Sequence, residues 1–145
     1  MKRRIYLDTC VWCRPFDQPA SERITLEVEA VKRAISKVDS SEIVILGSSV
    51  LLLEASLIFP GPKRDAVKEF IDHSISKIAT VSVNSEELAK ELMRDYNINA
   101  MDALHLGIAI DNGAELFLTT DDKILKKAGQ ISKYGMEIKN PREVF

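Results

Sequence analysis

The sequence predicts an α/β fold, a three-layer α/β/α sandwich around a central parallel sheet of four to five strands. Short apolar runs with β-branched residues recur along the chain, amphipathic stretches with helical spacing separate them, and the alternation runs from one end to the other. Such a sheet places ligands outside the carboxyl ends of its strands. Acidic residues follow two of the predicted strands directly, Asp8 and Asp121.

The first strand is Ile5-Tyr6-Leu7, running into Asp8 and Thr9, with Thr9 placed to cap the next helix. Pro15 and Pro19 bracket a loop over 14–20, and Ser21 caps a long helix. Ile24, Val28, Val31, Ile35 and Val38 form its apolar stripe, while Glu22, Arg23, Glu27, Glu29, Lys32 and Arg33 read as a solvated face. Ile43 to Leu46 is a strand of buried type. The run Val50 to Leu57 is a helix capped by Ser48 or Ser49, interrupted by Glu54, an acid that apolar flanks seldom carry without a reason. Pro60-Gly61-Pro62 closes this unit, and Asp65 to Ile75 forms an amphipathic helix with Val67, Phe70 and Ile71 inward. Ile78 to Val83 reads as a third strand. Asn84 or Ser85 then caps a helix whose buried side is Leu88, Leu92 and Met93. The stretch from Asn99 to Asp122 gives an apolar helix with Asp102 in its first turn, then the strand Leu116 to Leu118. A basic helix, Lys123 to Ala128, and a last strand, Met136 to Lys139, complete the order.

At 145 residues the chain fits one domain, 1–145, able to bury its own core. No apolar run reaches the ~18 residues of a membrane span, and the opening lacks the apolar stretch of a signal peptide, so a cytoplasmic protein without membrane contact is expected. A net charge of −2 argues against a general binder of duplex DNA, but leaves room for metal-dependent chemistry on nucleic acid. Cys10 and Cys13 are spaced C-x-x-C, yet no second pair accompanies them and the histidines are His73 and His105 alone, so free thiols are expected rather than a zinc or redox site.

Asp8, Glu54, Asp102 and Asp121 share one predicted address, with Asp122 a fifth candidate. Carboxylates gathered there repel one another unless a cation intervenes. Mg²⁺ or Mn²⁺, hard ions that take oxygen ligands, are the suited cofactors, and such ions activate water against a phosphodiester. Histidine clusters, a Cys–His pair and a G-x-S-x-G turn are all absent from the sequence, leaving other hydrolytic chemistries poorly supported.

YLDTCVW at 6–12, SSVLLLEAS at 48–56 and MDALHLGIAIDNGAELFLTTDD at 101–122, in this order, resemble a PIN domain, and in particular the toxin ribonucleases of VapBC toxin–antitoxin modules. The resemblance covers nearly the whole chain. It implies a PIN-like fold and a metal-dependent ribonuclease with Asp8, Glu54, Asp102 and Asp121 as its acidic quartet. It implies further that Thr119 orients a carboxylate or water, that RNA is the substrate, and that a cognate antitoxin and a second copy of the chain are partners. Thr9 and Asp122 are expected to support the ligands from outside. Cys10 departs from the Asn or Ser that many members carry there, and a thiol is the poorer hydrogen-bond partner.

Each residue also has a simpler role. Asp8 suits a strand-end cap, Asp102 a helix-start acid favoured by the dipole, and Asp122 a cap beside the ligand Asp121. His105 lies one turn after Asp102, but hard ions prefer oxygen, which makes it a packed neighbour. Arg14, Lys63 and Arg64 are candidates for RNA phosphate, with solvated charge the alternative. Trp12 suits either base stacking or the core. A PIN-type RNA-processing nuclease without a toxin role, and a non-catalytic partner-binding domain presenting Trp12, Phe16 and the Leu51–Leu57 helix, stand as alternatives. A haloacid-dehalogenase-like phosphatase wants Asp-x-Asp where residue 10 is Cys. A receiver module wants an early acidic pair and a lysine opening a strand-end turn, and Lys123 does not sit there.

Overall fold

The computed structural model describes residues 2–145. Its strands are β1 (Arg3–Leu7), β2 (Ile43–Ser48), β3 (Lys77–Ala79), β4 (Leu116–Leu118) and β5 (Glu137–Lys139). Among the described residues they form one five-stranded sheet in the order β3-β2-β1-β4-β5, every pair parallel. The order reverses at β1, so the crevice beyond the ends of β1 and β4 is the topological switch point.

The helices are α1 (Thr9–Cys13), α2 (Glu22–Asp39), α3 (Ser49–Ser56), α4 (Gly61–Ser74), α5 (Val83–Tyr96), α6 (Ala100–Asp111), α7 (Asp122–Leu125) and α8 (Ala128–Ile131). Strand side chains alternate between faces and divide the core. Ile5, Leu7, Ile45, Leu116 and Leu118 pack with α1 to α4, while Tyr6, Leu46, Phe117 and Ile138 pack with α5, α6 and α8. The three-layer sandwich expected from the sequence is the architecture found. No helix among the described residues is long and apolar enough to cross a membrane.

The caps Ser21 and Ser48 stand where the sequence puts them, accepting the N–H groups of Ile24 and Leu51. Several boundaries move. The third strand ends at Ala79 rather than Val83, because Ser82 caps α5 and exchanges hydrogen bonds with Ser85, the third residue of the helix. Val81 and Val83 therefore lie exposed, and Met93 turns outward while Leu92 is buried. Pro60-Gly61-Pro62 opens α4 rather than closing the previous unit, since proline lacks the N–H that a first helical turn leaves unused. The basic helix predicted over 123–128 is two short turns, α7 and α8.

Gly107 sets the approach of α6 to α5. A Cβ at this position would stand 2.6 Å from the Ser85 carbonyl oxygen, closer than any side chain tolerates, so the helices cross backbone to backbone.

Candidate metal centre

β1 delivers Asp8. The strand ends against β4, the Asp8 N–H donating to the Leu118 carbonyl at 2.9 Å, and the side chain then caps α1 by accepting the Thr9 N–H at 2.8 Å. The Thr119 hydroxyl donates to Asp8 Oδ2 at 2.8 Å and accepts the Asp121 N–H at 3.0 Å, so one side chain fixes the carboxylate and the turn carrying the next acid. The Cys10 thiol adds a longer contact to Asp8 Oδ2 at 3.5 Å. Asp121 caps α7, with Oδ1 accepting the Lys123 N–H at 2.9 Å. Asp102 lies in the first turn of α6, its N–H held by the Asn99 side chain at 3.0 Å.

Asp8 and Asp102 are not at ease as anions. Burial raises the Asp8 carboxyl above the ordinary range, against the opposing pull of His105 and the hydrogen bonds from Thr119, the Thr9 N–H and Cys10. Asp102 is pushed up to about 6, first by burial and then by the charges of Asp8 and Asp121. Among the described residues no lysine or arginine pairs with Asp8, Asp102 or Asp121. Asp102 on α6 thus feels the charges of Asp8 at the end of β1 and of Asp121 beyond β4, with no lysine or arginine paired to offset them. Among the described residues the group within metal-ligand distance is Asp8 with Glu54 and His105, and Asp102 and Asp121 stand outside it. A hard divalent cation is the partner that oxygen donors of this kind accept, and Asp8 with Glu54 supplies two of them at ligand distance.

Glu54 reaches the same place from α3. A candidate ligand atom from each of Asp8, Glu54 and His105 lies within 4.8 Å of the others. Two donors hold Glu54: the Thr9 hydroxyl at 2.6 Å and His105 Nε2 at 2.5 Å. The His105 hydrogen bond holds the Glu54 carboxyl below its ordinary value, against the opposing effect of burial.

Behind Glu54 runs a buried chain of polar groups. The Tyr6 hydroxyl lies 2.6 Å from His105 Nδ1 and 2.7 Å from Ser48 Oγ. A carboxylate accepts only, so His105 Nε2 donates to Glu54; with a neutral ring, Nδ1 then accepts from Tyr6, whose oxygen accepts from Ser48. His105 is fully buried and its Nε2 is spent on Glu54. Burial raises the Tyr6 phenol above its usual range, so it stays protonated.

The other expected residues go elsewhere. Asp122 turns to the Arg23 guanidinium, at 2.9 Å, with its side chain exposed. Arg14 is bound to Asp17 and Glu27, Lys63 to Asp17 at 2.6 Å, and Arg64 to Asp65. Trp12 is fully buried, its indole N–H donating to the Leu7 carbonyl at 3.1 Å. The solvated face expected on α2 also needs correction: Glu27 is fully buried, held by Arg14, Arg23 and the Asn140 amide. Arg23 joins this acid to Asp122, clamping α2 to the turn that carries Asp121.

Tyr6 and Ser48 carry no signal of such a role in the sequence. A tyrosine inside a strand and a serine at a helix cap each have an ordinary local reading, and only the pairing of β1 with β2 beneath α6 brings them to His105.

A family model of the PIN domain matches residues 5–130. No curated protein matches the chain. Among solved structures, the crystal structure of Mycobacterium tuberculosis VapC20, described as a sarcin-ricin loop cleaving toxin, is similar with a TM-score of 0.61 and 19% sequence identity, over 91% of this chain and 95% of that one. At that identity the likeness concerns the fold.

Proposed function

The chain belongs to the PIN domain family, and from that membership we propose that it is a Mg²⁺- or Mn²⁺-dependent endoribonuclease, the toxin of a type II toxin–antitoxin pair. The observation that carries this reading is that carboxylate oxygens of Asp8 and Glu54 lie within 4.8 Å of each other, with Asp102 near enough to feel the charges of Asp8 and Asp121. Burial first, and then the charges of Asp8 and Asp121, push the Asp102 carboxyl up to about 6, a burden that a bound cation would relieve. The toxin role draws on the likeness to VapC20.

In this reading Asp8, Glu54, Asp102 and Asp121 hold the metal. A bound divalent cation supplies water activation and neutralises charge on the phosphodiester, which is what hydrolysis at this site needs. Thr119 keeps Asp8 in one rotamer and ties it to Asp121, and Thr9 with His105 does the same for Glu54. Water attacks phosphorus in line and gives up a proton, the P–O bond to the leaving nucleotide breaks, and the leaving oxygen takes up a proton from solvent in exchange for the one released.

Residues 1–145 are read as one domain, since the sheet draws strands from Arg3 through Lys139. An antitoxin and a second copy of the chain are the proposed partners, and the cytoplasm the proposed location. Leu53, Leu57 and Phe59 are exposed by 55%, 72% and 89%, which supports a partner-binding face there; the buried Trp12 takes no part in it.

The test is cleavage of total RNA with Mn²⁺, with EDTA, and by the Asp8→Asn variant. Fragments that need both the metal and Asp8 support the reading. Fragments that survive EDTA or the substitution would refute it.

A further inference from the structure

A cleft of about 560 Å³ lies beside the acids, between the α5–α6 turn and α7 with α8, and its walls include Asn97, Asp102, Lys123, Lys126, Lys127 and Gln130. Ile98 and Ile124 give it an apolar floor. Asp102 is shared between this cleft and the carboxylate cluster, and the Lys123 N–H donates to Asp121, so the two spaces adjoin.

The lysines of this cleft differ from the cations elsewhere around the acids. Arg14, Arg23 and Lys63 are each committed to a carboxylate. Lys123, Lys126 and Lys127 make no ion pair among the described residues, and the first two are exposed. In a chain of net charge −2 they concentrate positive charge at one mouth of an acidic site.

Resting on the ribonuclease reading, we propose that this cleft is the subsite for the single-stranded RNA flanking the scissile phosphate. Its volume falls in the ~300–1,000 Å³ range of sites that enclose a small ligand. Lysines take phosphates as point charges, and the Asn97 and Gln130 amides offer the paired donor and acceptor that base edges recognise. Among the described residues no aromatic side chain lines the cleft, so charge and amide contacts rather than stacking hold the strand. What favours RNA over an acidic protein segment is that the cleft shares Asp102 with the carboxylates and adjoins Asp121, where the strand on either side of the scissile phosphate has to run.

The experiment compares cleavage of a random-sequence pool of single-stranded oligoribonucleotides in Mn²⁺ by the parent, by a Lys123→Gln, Lys126→Gln, Lys127→Gln variant, and by a Lys32→Gln, Lys68→Gln, Lys77→Gln variant with the same charge change on other faces. The cleft variant is expected to raise KM at least about tenfold with kcat nearly kept. It should also flatten the dependence of log KM on log salt by about 2, at about 0.7 for each phosphate no longer neutralised. The control variant keeps parental kinetics. Equal impairment of the two variants, or parental kinetics in the cleft variant, would overturn the subsite while cleavage by the parent leaves the ribonuclease reading standing. If the parent binds poly-glutamate and the cleft variant loses that binding while keeping parental cleavage kinetics, the cleft belongs to an acidic protein partner and the proposal is overturned likewise. A parent that cuts no RNA overturns both together.

Discussion

His105 donates to Glu54 from one ring nitrogen and meets the Tyr6 hydroxyl with the other, so a buried histidine on α6 holds an acid presented by α3. Replacing it by alanine leaves the buried Tyr6 hydroxyl short of a partner and frees Glu54 to swing. His105→Ala is expected to cost about 2–4 kcal/mol, from the two lost hydrogen bonds and the cavity together, although Tyr6 keeps Ser48 and Glu54 keeps Thr9. Urea unfolding measures this, and a parental midpoint would show that the chain of hydrogen bonds carries no stability. RNA cleavage by the variant should fall as well, because Glu54 loses its fixed position.

Glu27 is a second buried acid, placed for structure. Burial alone would raise its carboxyl, but hydrogen bonds from Asn140, Arg14 and Arg23 together hold it below its usual range. A lowered folded value contributes stability above the ordinary carboxylate pKa near 4.5, and that stability is lost as pH falls through the folded value. Glu27→Ala takes one carboxylate from each of two partly exposed arginines, which keep Asp17 and Asp122, and leaves the buried Asn140 amide short of an acceptor, so it is expected to cost about 2–3 kcal/mol near neutral pH. Chemical unfolding of parent and variant from about pH 7 down to pH 3 should show the gap closing with acid. A gap that is constant with pH would contradict the ionised role.

Asp102 behaves in the opposite sense. Its folded value of about 6 lies above the ordinary 3.8, so its charge weakens the metal-free fold. The contribution favours the fold fully below about pH 3.8 and is lost as pH rises through about 6. Without metal, Asp102→Asn is therefore expected to be more stable than the parent by about 1–2 kcal/mol near pH 7.5, after allowing for its partial exposure. The advantage should vanish towards about pH 4. Denaturant titration in EDTA decides it, and a variant less stable than the parent at the higher pH would show that neither burial nor the neighbouring carboxylates burden the Asp102 charge.

The alternation of apolar runs and helical stretches makes the layers and the parallel sheet legible, because both depend on periods that a sequence displays directly. Asp8 and Asp121 are legible for the same reason, each following a strand whose end has to face the crevice. Glu27 is not, although it stands three, four and seven residues before Ala30, Val31 and Ala34, all buried on the same line of α2. Its charge outweighs its spacing, and the arginines that neutralise it come from a separate loop and from one turn earlier. Arg14 and Lys63 read as free for phosphate because Asp17, which binds both, meets Lys63 only through the fold. Strand ends and helix starts around 75–85 shift because a single serine, Ser82, can close a loop as readily as it can sit in a strand.

Calorimetric titration of Mn²⁺ into the parent, Asp8→Asn and Asp102→Asn proteins tests most directly whether these carboxylates converge to hold a cation. The parent is expected to bind the ion, with affinity falling at least about tenfold in either variant while circular dichroism stays parental. Absence of binding to the parent, or equal binding by all three folded proteins, would contradict the metal centre and the hydrolytic mechanism built on it.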